Sequence, residues 1–184
     1  MVLSNLIRYR GNIHLLLTGY AAGPSFDQAG GPIDYLCLPD QPEWKNSVAG
    51  DQHSGSIAGV TYELSFSHPF DESNSGGTLD NHPAPCAVCY VDSCRSTVIM
   101  LPGKTQCPAG WTKEYGGYLA SDFAGSARTT YRSSVMCLDE APEVAAHPAG
   151  YSQSVLYHVE VQCGTLPCAL YPNGKELTCV VCSK

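Results

Sequence analysis

The sequence predicts a mainly β fold, β-rich with little helix, built from two pseudo-symmetric copies of one disulfide-stapled unit. Three observations predict it: ten cysteines among 184 residues, abundant glycine and proline (18 and 13), and four sequence blocks that recur in order. Eleven tyrosines against four phenylalanines also suit short strands with amphipathic aromatic residues. We therefore expect strands and loops. Because each half of the chain is near the lower size limit for a self-sufficient hydrophobic core, we expect disulfides to add stability.

The recurring blocks divide the chain into a first repeat unit, residues 1–97, and a second, residues 98–184. They match GYAA at 19–22 with GYLA at 117–120, YLCLPDQPE at 35–43 with VMCLDEAPE at 135–143, VTYEL at 60–64 with LYHVE at 156–160, and CAVCY at 86–90 with CVVCS at 179–183. The spacing between matching blocks drifts along the chain, as insertions in surface loops between fixed strands produce. We expect the two units to pack together.

Local patterns place several strands and turns within these units. Apolar runs or alternation predict strands at residues 14–17, 96–100 and 155–162. Asn173-Gly174 lies between extended segments and predicts a hairpin turn. Residues 71–85, rich in Ser, Gly, Asn and Pro, are predicted to form a loop inside the first unit.

The cysteine content indicates an oxidising compartment, because cytosolic chains of this size rarely carry so many cysteines. We therefore expect a secreted, extracellular protein. No segment approaches the roughly 20 apolar residues of a transmembrane helix, so no membrane span is expected. Residues 1–10 lack the apolar core of a signal peptide, so we expect either a trimmed mature chain or a lost start.

Charge and motif content argue against two classes of function. The net charge is −7 and the ten basic residues are spread singly, whereas nucleic-acid binding needs a clustered cationic surface. No Gly-x-Ser-x-Gly motif, phosphate-binding loop or nucleophile-base pair is present, and the six histidines are scattered. We therefore expect a protein that is not an enzyme and has no nucleic-acid partner.

All ten cysteines are expected in structural disulfides. Cys107 and Cys137 bracket the Gly-Tyr block of the second unit, and the equivalent of Cys107 in the first unit falls near Tyr9. Cys37 then lacks its homologous partner, and three alternatives stay open. Cys37 bonds to Cys94, or one of these two cysteines links two chains, or the partner of Cys37 belongs to a missing N-terminal segment. The connectivity of the other six stays open: Cys86, Cys89, Cys163, Cys168, Cys179 and Cys182. A four-cysteine zinc site or a redox centre is the alternative for the two Cys-x-x-Cys motifs, although neither a zinc-ribbon spacing nor a βαβ context surrounds them.

An acidic segment of the second unit is the candidate metal site. It packs three carboxylates within five residues just after a cysteine: Asp139, Glu140 and Glu143. Calcium prefers such oxygen-rich loops, and Asp122, after the Gly-Tyr block, is the fourth candidate ligand. The first unit has a reduced version in Asp40 and Glu43. The alternative is that these acids cap turns or face solvent.

Carbohydrate binding requires aromatic faces for the C–H surface of the sugar and a few planar polar groups for its hydroxyls. The candidates in the second unit are Trp111, Tyr118, Tyr131 and Arg132. The alternative is that these aromatic residues belong to the core or to cross-strand pairs.

Several blocks closely resemble the secreted marine-invertebrate proteins known as short-chain collagen C4-like. They are APCAVCYV at 84–91, PGKTQCPAGW at 102–111, CLDEAPE at 137–143, VEVQCGTLPC at 159–168 and LTCVVC at 177–182. The chain has no Gly-x-y repeat and so cannot form a triple helix. It is also similar to a calcium-dependent galactose-binding lectin of sea anemones. That resemblance implies binding of galactose-type glycans.

These observations predict a secreted, non-enzymatic, lectin-like protein. Calcium is the expected cofactor, held by the acidic loop of the second unit, where it ligates vicinal sugar hydroxyls beside an aromatic wall. Glycans and further copies of the chain, as a homo-oligomer, are the expected partners. The alternative function is a structural or matrix component of secreted extracellular material that self-associates through disulfides at Cys37 or Cys94.

Overall fold

The computed structural model describes residues 13–25, 33–45, 57–64, 67–91, 95–122, 133–145 and 153–184. Nine β-strands and no helix lie in these ranges, which confirms the predicted β-rich class. The strands are β1 (Ile13–Gly23), β2 (Leu36–Pro39), β3 (Ala58–Tyr62), β4 (Pro85–Val91), β5 (Val98–Pro102), β6 (Thr112–Ser121), β7 (Met136–Asp139), β8 (Ser154–His158) and β9 (Thr178–Ser183). None of the described segments forms a helix with the length and hydropathy of a membrane crossing.

The predicted strands and turn fall close to the observed ones. The apolar run at 14–17 lies inside β1, and the segment predicted at 96–100 becomes β5 two residues later. The segment predicted at 155–162 ends as a regular strand at His158, beyond which only the isolated bridge between Glu160 and Glu176 follows. Gly174 adopts a φ of +70° in the predicted turn, a value that glycine reaches without steric cost.

The nine strands form one sheet in which β1 and β6 are the central elements. The strand order is β2-β1-β3-β8-β6-β9-β5, with β4 added to β1 and β7 added to β6. All strand pairs are antiparallel except β3 with β8, which run parallel and join the first unit to the second. A single hydrogen-bonded sheet therefore continues across the boundary between the predicted units.

The central strands β1 and β6 hold their neighbours in the same register. Matching cross-strand pairs are Tyr20–Leu38 and Tyr118–Leu138, and Gly19–Cys86 and Gly117–Cys179. A shift in register also occurs at matching places, between Leu15 and Leu17 in β1 and between Lys113 and Tyr115 in β6. The two halves thus have a common pairing pattern, while their origin by duplication stays a prediction.

The third block of the sequence match is out of register by three residues. In the first unit the Ala84 N–H donates to the Val60 carbonyl at 2.9 Å, and in the second the Leu177 N–H donates to the Val159 carbonyl at 2.9 Å. Val159, and not Leu156, therefore occupies the place of Val60. Apolar strand residues resemble one another in sequence, whereas the register is set by backbone hydrogen bonds and by the turns on either side.

The described residues contain four disulfides, and their connectivity corrects the predicted pairing of Cys37. They are Cys37–Cys86, Cys107–Cys182, Cys137–Cys179 and Cys163–Cys168. Cys37 is thus bonded within the chain, so its proposed bond to Cys94 and its proposed role in linking two chains are wrong. Cys94 lies outside the described residues. The sequence argument paired cysteines by their order along the chain, whereas Cys37–Cys86 and Cys137–Cys179 join the strands on either side of a central strand.

The Cys-x-x-Cys motif of β9 lies in a strand, where residues three apart point to opposite faces of the sheet. Cys179 accordingly bonds to Cys137, and Cys182 bonds to Cys107. Both thiols of this motif are consumed in structural disulfides, which excludes a zinc site or a redox centre there. Cys89 of the first motif is half-buried on β4, at the position that corresponds to Cys182.

The main hydrophobic core is built from both halves of the chain. Its fully buried members include Tyr62, Leu79, Leu138 and Leu156. A second, smaller cluster packs around Leu119 and the Cys137–Cys179 disulfide. Removing these side chains from water supplies most of the stabilisation, roughly 1.5–3 kcal/mol for each large apolar group.

One face is covered in the second unit and open in the first. Tyr118 packs edge-on against Phe70 at a ring-centroid distance of 5.6 Å, and Leu138 is buried beside it. Their counterparts on β1 and β2 lie open, with exposed fractions of 39% for Tyr20 and 38% for Leu38. The loop at residues 67–80, which carries Phe70, therefore covers the second unit and leaves the equivalent face of the first unit exposed.

The Gly117→Ala variant is expected to lose stability, because its Cβ would collide with the Leu138 carbonyl and with the backbone at Asp139. Forcing β7 away from β6 should lower the free energy of unfolding by about 1–3 kcal/mol, as overpacking does elsewhere. Denaturant unfolding measures this loss. Gly59→Ala is the matched control, since its Cβ meets no atom within 4 Å. Equal stability of the two variants would contradict the close approach of β7.

Candidate functional site

The acidic loop at residues 139–143 is held between β6 and the loop at residues 67–80. The Glu140 N–H donates to the Gly116 carbonyl at 3.2 Å, and the Asp71 N–H donates to the Glu140 carbonyl at 2.8 Å. The Val144 N–H donates to the Ser75 carbonyl at 3.0 Å. One backbone hydrogen bond thus joins the acidic loop to β6, and two join it and the adjacent Val144 to the loop at residues 67–80 of the first unit.

The carboxylates of this loop differ in what they contact. Asp139 Oδ1 accepts a hydrogen bond from the Ala141 N–H at 2.9 Å, which closes a tight turn after β7. Glu140 is exposed, and Glu143 is half-buried with its backbone carbonyl accepting the Tyr62 hydroxyl at 2.8 Å. The alternative of turn capping is therefore observed at Asp139, while Glu140 extends into solvent.

Asp122, the fourth predicted metal ligand, lies at the far end of β6. Its N–H donates to Ser133 Oγ at 3.0 Å. Asp139 is opposite Gly117, five residues earlier on the strand, which corresponds to a separation of about 16 Å. Asp139, Glu140 and Glu143 are therefore neighbours along one loop, but their carboxylates do not meet in a group of three in the described part of the chain, and Asp122 lies away from them.

Tyr118 is the predicted sugar-binding residue that the structure places beside the acidic loop. It is half-buried, its cross-strand partner Leu138 directly precedes the loop, and its ring packs against Phe70. Trp111 precedes the opposite end of β6, about 20 Å from Gly117 along the strand. Tyr131 and Arg132 lie outside the described residues.

Asp71 and Glu72 also reach this junction, and the sequence analysis did not single them out. Asp71 Oδ1 accepts the Ser73 N–H at 2.9 Å, and Glu72 Oε1 accepts the Leu79 N–H at 3.0 Å. The Ser73 hydrogen bonds hold the pKa of Asp71 below its usual range. No local sequence signal links Asp71 to Glu140, because the contact joins positions about 70 residues apart.

A second group of potential ligands lies where β8 ends. It consists of His158, Glu160 and Glu176, whose ligand atoms all lie within 4.8 Å of one another. The spacing of His158 and Glu160 was a usable signal, because residues two apart in a strand point to the same face. Glu176 could not be added from sequence, since only its isolated antiparallel bridge to Glu160 brings it near.

Three tyrosines with raised pKa values lie in or against the core: Tyr35 and Tyr62 are buried, and Tyr115 is half-buried. Burial is the main cause that raises the pKa of Tyr62 far above its usual range, and Glu143 and Asp139 raise it further. Burial, followed by the charge of Asp139, also raises the pKa of Tyr115, whose hydroxyl donates to the Cys137 carbonyl at 3.1 Å. Burial raises the pKa of Tyr35 to about 12, against a lowering effect of its hydrogen bond to Ser133.

These tyrosines predict a loss of stability at alkaline pH. A raised pKa in the folded state means that the stabilising effect is complete below the ordinary tyrosine pKa of 10.0 and declines as pH rises through the folded pKa. For Tyr35 the decline should be about 1.4 kcal/mol per pH unit between pH 10 and pH 12. Denaturant unfolding at several pH values measures the total slope, to which Tyr62 and Tyr115 also contribute, and Tyr35→Phe should lower the slope by the share of Tyr35. Free ionisation of all eleven tyrosines near pH 10 in the folded protein would contradict the burial argument.

The acidic junction and the group at the end of β8 offer different chemistry. The acidic junction offers carboxylate oxygens beside Tyr118, which suits a hard cation and sugar hydroxyls. The cluster of His158, Glu160 and Glu176 combines an imidazole with two carboxylates. No protein-family model matches the sequence.

Proposed function

We propose that the chain is a secreted, non-enzymatic, lectin-like protein that binds glycans with the help of calcium. The site is the junction between the acidic loop at residues 139–143 and the loop at residues 67–80. One observation carries the proposal: the hydrogen bond from the Asp71 N–H to the Glu140 carbonyl, at 2.8 Å, which places two exposed acidic residues side by side. This junction lies next to Tyr118.

The donor chemistry of the junction suits calcium. Calcium takes about six to eight oxygen ligands from carboxylates, backbone carbonyls and water. Asp71 and Glu140 are exposed, so water and sugar hydroxyls can complete the coordination of an ion held there. An exposed carboxylate such as Asp71 is charged at neutral pH and attracts a cation, and hydrogen bonds from Ser73 lower the pKa of Asp71 further.

The neighbouring aromatic residues supply the second requirement of a glycan site. Tyr118 is half-buried and Phe70 supports it from the inside, so part of the tyrosine ring borders the junction. An aromatic ring that is fixed by packing contacts the C–H face of a sugar at little entropic cost. The calcium ion then binds the vicinal hydroxyls while Tyr118 contacts the sugar ring.

The disulfide content supports secretion as part of the same proposal. Four disulfides in the described residues are typical of proteins that fold and act in an oxidising environment. Cys137–Cys179 thereby links β9 to β7, and Cys107–Cys182 links β9 to the segment that precedes β6. A scaffold of this kind keeps the two loops of the junction in place outside the cell.

Calorimetric titration with galactose and related sugars, with calcium and with a chelator, tests the proposal. We expect binding in calcium and none after chelation. Asp71→Asn and Glu140→Gln should each weaken sugar binding by at least about tenfold, equivalent to about 1.4 kcal/mol, because each removes a charged ligand. Tyr118→Leu should weaken it without changing calcium affinity.

Asp40→Asn is the matched control, because Asp40 is the exposed acid of the first unit at the position equivalent to Glu140. Its sugar and calcium affinities should equal those of the unaltered chain. Absence of sugar binding in both calcium and chelator, with a full glycan array, would rule out the lectin function.

A further inference from the structure

We propose that His158, Glu160 and Glu176 form a binding site for a divalent transition-metal ion of the zinc type. The site is separate from the calcium junction and does not depend on glycan binding. It contains nitrogen and oxygen donors, lies at the end of β8, and has no counterpart in the first unit. There Gly59, Thr61 and Pro83 occupy the matching positions in the hydrogen-bonding pattern.

The backbone positions the three ligands without help from a metal. His158 is the last residue of β8 and pairs with Ala120 of β6. Glu160 follows two residues later and therefore points to the same face. Glu176 is directly opposite Glu160 in an antiparallel bridge. Three ligands from two adjacent segments thus converge on one side of the sheet.

The distances between the ligand atoms agree with a shared ion. Two ligands bound to zinc at about 2.0–2.1 Å with tetrahedral geometry lie roughly 3.4 Å apart. His158 Nε2 and Glu160 Oε1 are separated by 3.6 Å. All three ligand atoms lie within 4.8 Å of one another, so small side-chain rotations bring the third into range.

The electrostatics of the cluster also favour binding of a cation. Carboxylates directly opposite each other in an antiparallel pair repel and destabilise the pairing. Within the described ranges, His158 is the only basic side chain within 4 Å of Glu160, and none pairs with Glu176. A bound divalent ion would neutralise both carboxylates at this bridge.

The His158 ring presents its second nitrogen to the carboxylates. The side chain is only 13% exposed, and Nδ1 is buried with no hydrogen-bond partner in the described part of the chain. The Nε2 atom lies 3.6 Å from Glu160 Oε1, which is too far for a hydrogen bond. With the proton on Nδ1, the Nε2 lone pair can bind an ion that Glu160 shares.

The ligand types select the class of metal. Calcium binds oxygen donors, whereas an imidazole with carboxylates suits zinc and other first-row transition ions. Three protein ligands leave a coordination position open to water or to another ligand. The Glu160 side chain is 54% exposed, so an ion can enter from solvent.

Calorimetric titration of the metal-free chain with zinc chloride and with calcium chloride tests this site. We expect one zinc ion to bind per chain through the cluster, and Glu160→Gln and Glu176→Gln each to weaken zinc binding by at least about tenfold. Glu72→Gln is the matched control, because His68 and Glu72 form a similar histidine-carboxylate contact at 3.7 Å without a third ligand. Unchanged zinc affinity in both cluster variants, or no zinc binding at all, would overturn the proposal.

Thermal unfolding separates a metal ligand from a merely structural residue. Without metal, Glu176→Gln should unfold at the same or a higher temperature than the unaltered chain, since it removes the repulsion with Glu160. With zinc, the unaltered chain should gain stability and the variant should not.

In the unaltered chain, zinc should shift the NMR signals of residues 158–160 and 174–177, and shifts confined elsewhere would refute the site. Asp71→Asn, which should weaken sugar binding, should leave zinc binding intact, so the two proposals can fail separately.

Discussion

The structure depends on the close approach of other strands to the two long strands β1 and β6. Each of these strands pairs with three others, and each carries a glycine where a neighbouring strand passes too near for a side chain. Gly19 and Gly117 occupy these positions. The disulfides Cys37–Cys86 and Cys137–Cys179 then tie together the strands on either side. Backbone contact and covalent links thus act at the same place in both halves.

The two halves use this common framework differently because one loop differs. In the first unit, the segment at residues 67–80 crosses to β6 and β7, inserts Phe70 against Tyr118, and hydrogen-bonds to the acidic loop. In the second unit, the corresponding segment is closed on itself by Cys163–Cys168. The acidic junction therefore exists once in the described structure, and the equivalent face around Tyr20 stays exposed.

The acidic junction and the group at the end of β8 illustrate how strand geometry converts neighbouring positions into chemistry. At the acidic junction, loops from different units meet, and carboxylate and carbonyl oxygens dominate. At the end of β8, the two-residue spacing of His158 and Glu160 and the bridge from Glu160 to Glu176 place an imidazole near two carboxylates. The first arrangement is suited to a hard cation with many oxygen ligands, and the second to an ion that accepts nitrogen.

Sequence alone determined the β-rich class and the turn at Asn173-Gly174. These features follow from local composition and from side-chain alternation. Cysteine content likewise predicted disulfides, but bracketing along the chain did not predict that Cys37 bonds to Cys86.

Only the tertiary structure decided the disulfide connectivity, the register of Val159, the distance of Asp122 from the acidic loop, and the meeting of Glu160 with Glu176. Each depends on which distant segments become neighbours. Hydrogen bonding and packing across the whole sheet set those contacts, and a single strand records only which of its own side chains point to the same face.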